Sequence, residues 1–231
     1  MIFDDNPYES RTIASRDGAV ATNYFHPPVV STAVMSITSA DRTPPIVPGA
    51  IAGAIAWLLG YVFTYAIAGT QLRESALHAI IEITEGESAA YELVGWVFFN
   101  AHFVDIVYTG IARALPASYV GGEEGFTLLL YVIPPALLFA AGLAIARFHG
   151  VTGPNRGALT GVLVVPGYFV LCIVGAFVFR VSALGATGEP ELLTAAILAG
   201  IVYPAVFGGL GGAVAGATES RDEAAEPLDE S

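Results

Sequence analysis

The sequence predicts an all-α integral membrane protein: a bundle of five transmembrane helices with one short amphipathic helix and disordered polar termini. Three observations carry that expectation. Of the 231 residues, 55% are hydrophobic and only 13% are charged, with a mean hydropathy of +0.65, whereas a soluble domain carries about 25% charged residues. The apolar residues fall in blocks near the ~20 residues that a helix needs to cross ~30 Å of hydrocarbon. The gaps between the blocks are short and rich in glycine and proline, which break helices.

Residues 1–45 are polar and contain Pro7, Pro27, Pro28, Pro44 and Pro45. They show no basic region followed by an apolar run, so no cleavable signal peptide is expected. A five-helix transmembrane domain then occupies residues 46–217. Four of its spans carry no internal charge: 47–69, 126–146, 158–179 and 192–217. The fifth, 89–112, contains Glu92, His102 and Asp105 and is read as a span because Leu93–Phe99 and Phe103–Tyr108 offset the ionisable positions. Between the first two spans, Leu72, Ala76, Leu77, Ile80 and Ile81 recur at helical steps, opposite Arg73, Glu74, His78, Glu82 and Glu85. That pattern predicts an amphipathic helix packed on the rim of the bundle, outside the hydrocarbon. The last segment, 218–231, has six acids and one arginine and is too polar to bury a core.

Acids outnumber bases 21 to 9, for a net charge of −12, so a nucleic-acid partner is excluded on electrostatic grounds. The expected partner is the lipid bilayer, with a second copy of the chain or another membrane protein as candidates for lateral contact. Arg147, His149 and Arg156 crowd the loop between the third and fourth predicted spans. By the positive-inside rule this places that loop inside; five spans then put the N-terminus outside the cell membrane and the C-terminus inside.

Close helix packing is predicted at Gly208, Gly212 and Gly216, spaced four apart in the last span, and at Gly49 and Gly53 in the first. Pro134–Pro135, Pro166 and Pro204 interrupt three spans and should disturb their helices. The polar positions of the second span are the candidate site. On a continuous helix, His102 and Asp105 are i,i+3 neighbours that fall in one sector of about 60° with Tyr91 and Thr109. Intramembrane ionisable groups mark a functional site by default, so His102, Asp105, Glu92 and Asn100 are candidates for a substrate or proton pathway. The bland alternative is a polar clamp, with His102 bonded to Tyr131, Tyr168 or Tyr203 on a neighbouring helix.

The run GWVFFNAHFVD, Gly95 to Asp105, together with the five-span layout and the acidic tail, resembles a family of small haloarchaeal membrane proteins of unknown function. Its members are often labelled transporters, and the likeness covers about residues 46–217. The absence of lysine beside nine arginines is similar to proteins adapted to molar salt. Three functions follow in order. A small transporter or channel subunit requires a wet path past His102 and Asp105. A structural or accessory membrane protein requires the same groups sealed between helices. An enzyme ranks last: there is no zinc-ligand spacing, no phosphate loop and no Gly-x-Ser-x-Gly elbow, and no metal or cofactor is expected.

Overall fold

The computed structural model describes residues 45–121 and 126–225. Residues 1–44 and 226–231, which hold most of the polar N-terminal segment and the end of the acidic tail, lie outside the described residues. Among the described residues four helices, not five, are long and apolar enough to cross a membrane: α1 (Ile46–Arg73), α4 (Leu128–Phe148), α5 (Pro154–Val178) and α6 (Leu192–Ser220). Between α1 and α4 lie α2 (Ala76–Glu85), α3 (Ala90–Asn100) and strand β1 (Ile106–Tyr108). Strands β2 (Val181–Ala183) and β3 (Ala186–Pro190) join α5 to α6.

The expected span over 89–112 is corrected for a local reason. At 1.5 Å per residue, the eleven residues of α3 reach only about 16 Å, half the hydrocarbon thickness. The helix ends in a Schellman motif: the amide of Val104 donates to the Phe99 carbonyl at 3.1 Å and that of Phe103 to the Asn100 carbonyl at 2.9 Å. Phe103 holds the left-handed position with φ = 59°, where glycine is usual and another residue costs about 1–2 kcal/mol. Two contacts hold it there. The Phe103 ring stacks on Tyr131 with centroids 4.5 Å apart, and the Asn100 side-chain amide donates to the Val104 carbonyl at 2.7 Å.

From that turn the chain leaves through β1, which pairs antiparallel with β3 (Ile106 opposite Pro190, Tyr108 opposite Gly188). β3 pairs antiparallel with β2 (Val181 opposite Gly188), so the sheet order is β1-β3-β2. The connection expected to be a glycine-rich loop is therefore a hairpin. Its two-residue turn, Leu184 and Gly185, has both φ values positive, 52° and 73°, as the twist of a tight hairpin requires.

The four long helices form a ring in the order α1-α4-α6-α5, held by close backbone approach. A Cβ on Gly53 would strike the Val164 carbonyl, one on Gly167 the Ala50 carbonyl, and one on Gly49 would come within 2.5 Å of the Leu163 Cβ. Gly208, Gly212 and Gly216 of α6 lie against Gly161, Gly157 and Gly153 in turn. Each of the five packing glycines named from sequence thus has a partner within this chain. The prolines sit where the helical hydrogen-bond pattern changes. Pro134 and Pro135 follow a 3₁₀ turn, Leu128–Val132, and Pro166 follows another, Val162–Val164. Pro204 opens a π-helical stretch, Pro204–Gly208, whose wider i→i+5 pattern accommodates a residue lacking an amide hydrogen.

Three further expectations are revised. Four spans alternating in direction along the chain bring the start of α1 and the end of α6 to the same end of the ring, where five would have separated them. The last helix continues to Ala225, so residues 218–225 of the acidic segment are helical. On α2 the faces also differ from the periodicity reading. His78 and Ile81 are buried while Ile80 is half exposed, because the helix turns His78 inward, where its Nε2 lies 2.8 Å from the Ser88 hydroxyl.

Candidate functional site

α3 is re-entrant: it descends into the ring from the end that carries the sheet and stops inside. Every side chain from Leu93 to Asn100 is buried. Phe98 packs edge-on against Trp57 of α1 at 5.2 Å between centroids. The Trp96 indole donates to the carbonyl of Phe179 at 2.6 Å. The turn after α3 touches the remaining spans, with Phe103 on Tyr131 of α4 and His102 between Tyr168 of α5 and Tyr203 of α6.

His102 is completely buried, and both ring nitrogens are engaged. Nδ1 lies 2.8 Å from the Phe98 carbonyl, which can only accept, so Nδ1 carries the hydrogen. Nε2 lies 2.6 Å from the Tyr168 hydroxyl. Complete burial with no carboxylate partner among the described residues disfavours the charged ring, and in the neutral Nδ1–H tautomer Nε2 accepts from that hydroxyl. Tyr168 lies ten residues before the end of α5, about 15 Å along the helix axis, so the imidazole sits near the middle of the bundle.

Asp105 does not join it. It is exposed, and its backbone carbonyl accepts from the Glu191 amide at 2.9 Å, at the start of α6. The i,i+3 pairing fails because α3 ends before reaching either residue and the chain reverses between them. Asn100 is buried and its side-chain amide is fully engaged. Its amide donates to the carbonyls of Val104 and Ala117, at 2.7 and 3.2 Å, and its oxygen accepts from the Tyr119 amide at 2.9 Å. It pins the re-entrant turn to the segment that follows β1. Glu92 sits at the opposite end of α3, about 12 Å from Asn100 along the axis. There it lines a cavity of about 260 Å³ with Glu85, Glu87, Ser88, Arg180 and Ser182, and one of its carboxylate oxygens is buried without a partner among the described residues. Of the four candidate residues, then, only Asn100 and His102 are fully buried, each with its own partners, and among the described residues neither the Glu92 cavity nor the one beside Trp96 and Tyr108 is lined by His102.

Sequence reasoning named Tyr168 among the partners open to His102 but missed the Phe98 carbonyl, although i−4 spacing on a helix was the available signal. It also missed Glu191. This side chain caps α6, accepting from the amides of Leu193 at 3.0 Å and Thr194 at 2.6 Å and from the Thr194 hydroxyl. The Thr194 hydroxyl is the main cause holding its carboxyl below the usual glutamate range, with the two amides adding to it. Across the hairpin, Arg180 pairs with Glu189. Among the described residues, no three His, Cys, Asp or Glu side chains converge to hold a metal ion.

The profile of a family of unknown function (DUF7978) matches residues 31–219, and the chain belongs to that family. No curated protein and no solved structure matches it.

Proposed function

We propose that this member of the DUF7978 family is a non-enzymatic membrane protein with a structural or accessory role: a sealed four-helix bundle that holds a folded cap at one face of the bilayer. One observation carries the reading. The intramembrane histidine that would serve a transport path is fully buried, with one nitrogen on a backbone carbonyl and the other on a tyrosine hydroxyl. A group on a proton or substrate route faces a wet cavity; His102 instead ties the turn after α3 to α5. The lack of a nucleophile elbow, phosphate loop or zinc-ligand spacing in the sequence supports the non-enzymatic part of the reading.

A second reading, a small transporter or channel subunit, has one observation in its favour. The tip of α3 meets Tyr203, flanked by the π-helical stretches Ala195–Val202 and Pro204–Gly208, and many transporters build midplane sites from interrupted helices. On that reading His102 and Asn100 line a path that opens in another conformation, with Glu92 and Asp105 nearer its mouth at the sheet-bearing end. Purified protein in sealed vesicles, assayed for proton and monovalent-ion flux in molar salt to match the acid excess, separates the two. The expected result is flux no greater than in empty vesicles. A saturable flux that disappears in His102→Gln, with insertion and melting unchanged, would replace the first reading with the second.

A further inference from the structure

α2 has two apolar faces, and the fold uses only one. Leu77, His78 and Ile81 point inward, and His78 and Ile81 are each 5% exposed. At about 100° per residue, the opposite face carries Ala76, Ala79, Ile80 and Ile83, all exposed; Ile80 is 50% and Ile83 83% accessible. Glu82 and Glu85 are exposed and lie to one side of this stripe. We propose that the stripe is a membrane-contact surface: α2 lies along the interfacial region of the bilayer with Ala76, Ala79, Ile80 and Ile83 against lipid acyl chains.

The chain itself sets the depth. α1 exposes Val62, Phe63 and Ile67 toward lipid and ends at Arg73, whose guanidinium folds back to donate to the Tyr65 hydroxyl at 2.6 Å and lies 5.6 Å from that ring's centroid. Tyrosine is enriched where spans meet the headgroups, and a charged residue ends the hydrocarbon stretch. α2 begins only three residues after Arg73, and a chain covers at most ~3.6 Å per residue, so its first turn lies within about 11 Å of that boundary. The lipid that covers the outer surface of α1 is therefore continuous with the stripe. At the far end of α2, the Glu85 carboxylate accepts from the amide of Leu184, a second exposed aliphatic at 59%, so the hairpin tip is tied to the same helix. The acidic flank makes this an interfacial helix without a basic face. It is held by apolar burial and by its covalent link to α1, not by attraction to anionic headgroups.

The test uses the full-length protein in phosphatidylcholine nanodiscs, with a spin label at Ile83→Cys, at Ile80→Cys or at Glu82→Cys. Cys172 is fully buried and stays unlabelled. Collisional access to oxygen, which concentrates in lipid, is compared with access to a water-soluble nickel chelate. Labels at 80 and 83 should respond severalfold more to oxygen than to nickel, with the ratio reversed at 82. Nickel access dominating at 80 and 83 would place the stripe in water and overturn the proposal. Neither reagent reaching it would also overturn the proposal, since a protein partner or second copy would then cover the face. Ile83 is too exposed for its replacement to remove an internal contact, and Ile80 gives an independent reading.

Discussion

At His102 the fold holds a titratable side chain at mid-bundle by using up its hydrogen-bonding capacity. The Nδ1 hydrogen is committed to Phe98 and the Nε2 lone pair to Tyr168, so neither partner can be removed without orphaning the other. Leaving a buried donor or acceptor unpaired costs about 1–3 kcal/mol. Tyr168→Phe should therefore lower the melting temperature in detergent, and so should His102→Leu, whereas the double variant should lose less than the sum of the two. A double-mutant cycle on thermal unfolding measures this; strict additivity would mean that the hydroxyl and the imidazole do not interact. Phe103 makes a comparable point about the backbone. It adopts a conformation suited to glycine because Asn100 and Tyr131 on either side of the turn hold it there.

Among the elements, the α5–α6 pair depends on missing side chains. A Cβ on Gly212 would run into the Gly157 carbonyl, whereas one on Gly209 would find only the Val162 methyl at 3.4 Å and the Ala158 carbonyl at 3.8 Å. Without a hydrophobic drive between helices in lipid, this close contact is what binds them. Gly212→Leu should force the helices apart and destabilise by about 1–3 kcal/mol, as overpacking does, while Gly209→Ala should leave the melting profile nearly unchanged. The start of α6 adds a pH-dependent contribution. Because Glu191 has its carboxyl held below the usual value in the folded state, its stabilisation is complete above the unfolded glutamate pKa of about 4.3. It is lost as the pH falls through the lower folded value. Glu191→Ala should thus cost about 1 kcal/mol at neutral pH, typical of an N-cap. The gap in melting temperature between variant and wild type should stay constant down to about pH 5 and close below about pH 4.3.

At the scale of the whole bundle, the two ends of the ring of spans are packed differently. Glycine contacts draw the start of α5 and the end of α6 together at the end away from the sheet, while α3 enters between the spans at the sheet-bearing end and fills the space with Trp96, Phe98 and Phe99. Composition alone determined that the chain is helical and suited to a membrane, and it located four spans to within a few residues, because a charge-free run of ~20 apolar residues has few other stable arrangements. The packing glycines were legible for the same local reason: their four-residue spacing is a property of one helix. The break after Asn100 was not legible, since residues 95–105 contain no proline and no internal glycine, and the turn is made by Phe103, an ordinary strand or helix former. What stops α3 is the Asn100 amide on the backbone ahead, the Tyr131 ring on α4 and the space left inside the ring of spans. The same tertiary contacts, absent from any helical wheel, separate Asp105 from His102 and bring Tyr168 in its place. Periodicity can say which residues would share a face if a helix continues, but only packing against other helices decides whether it does.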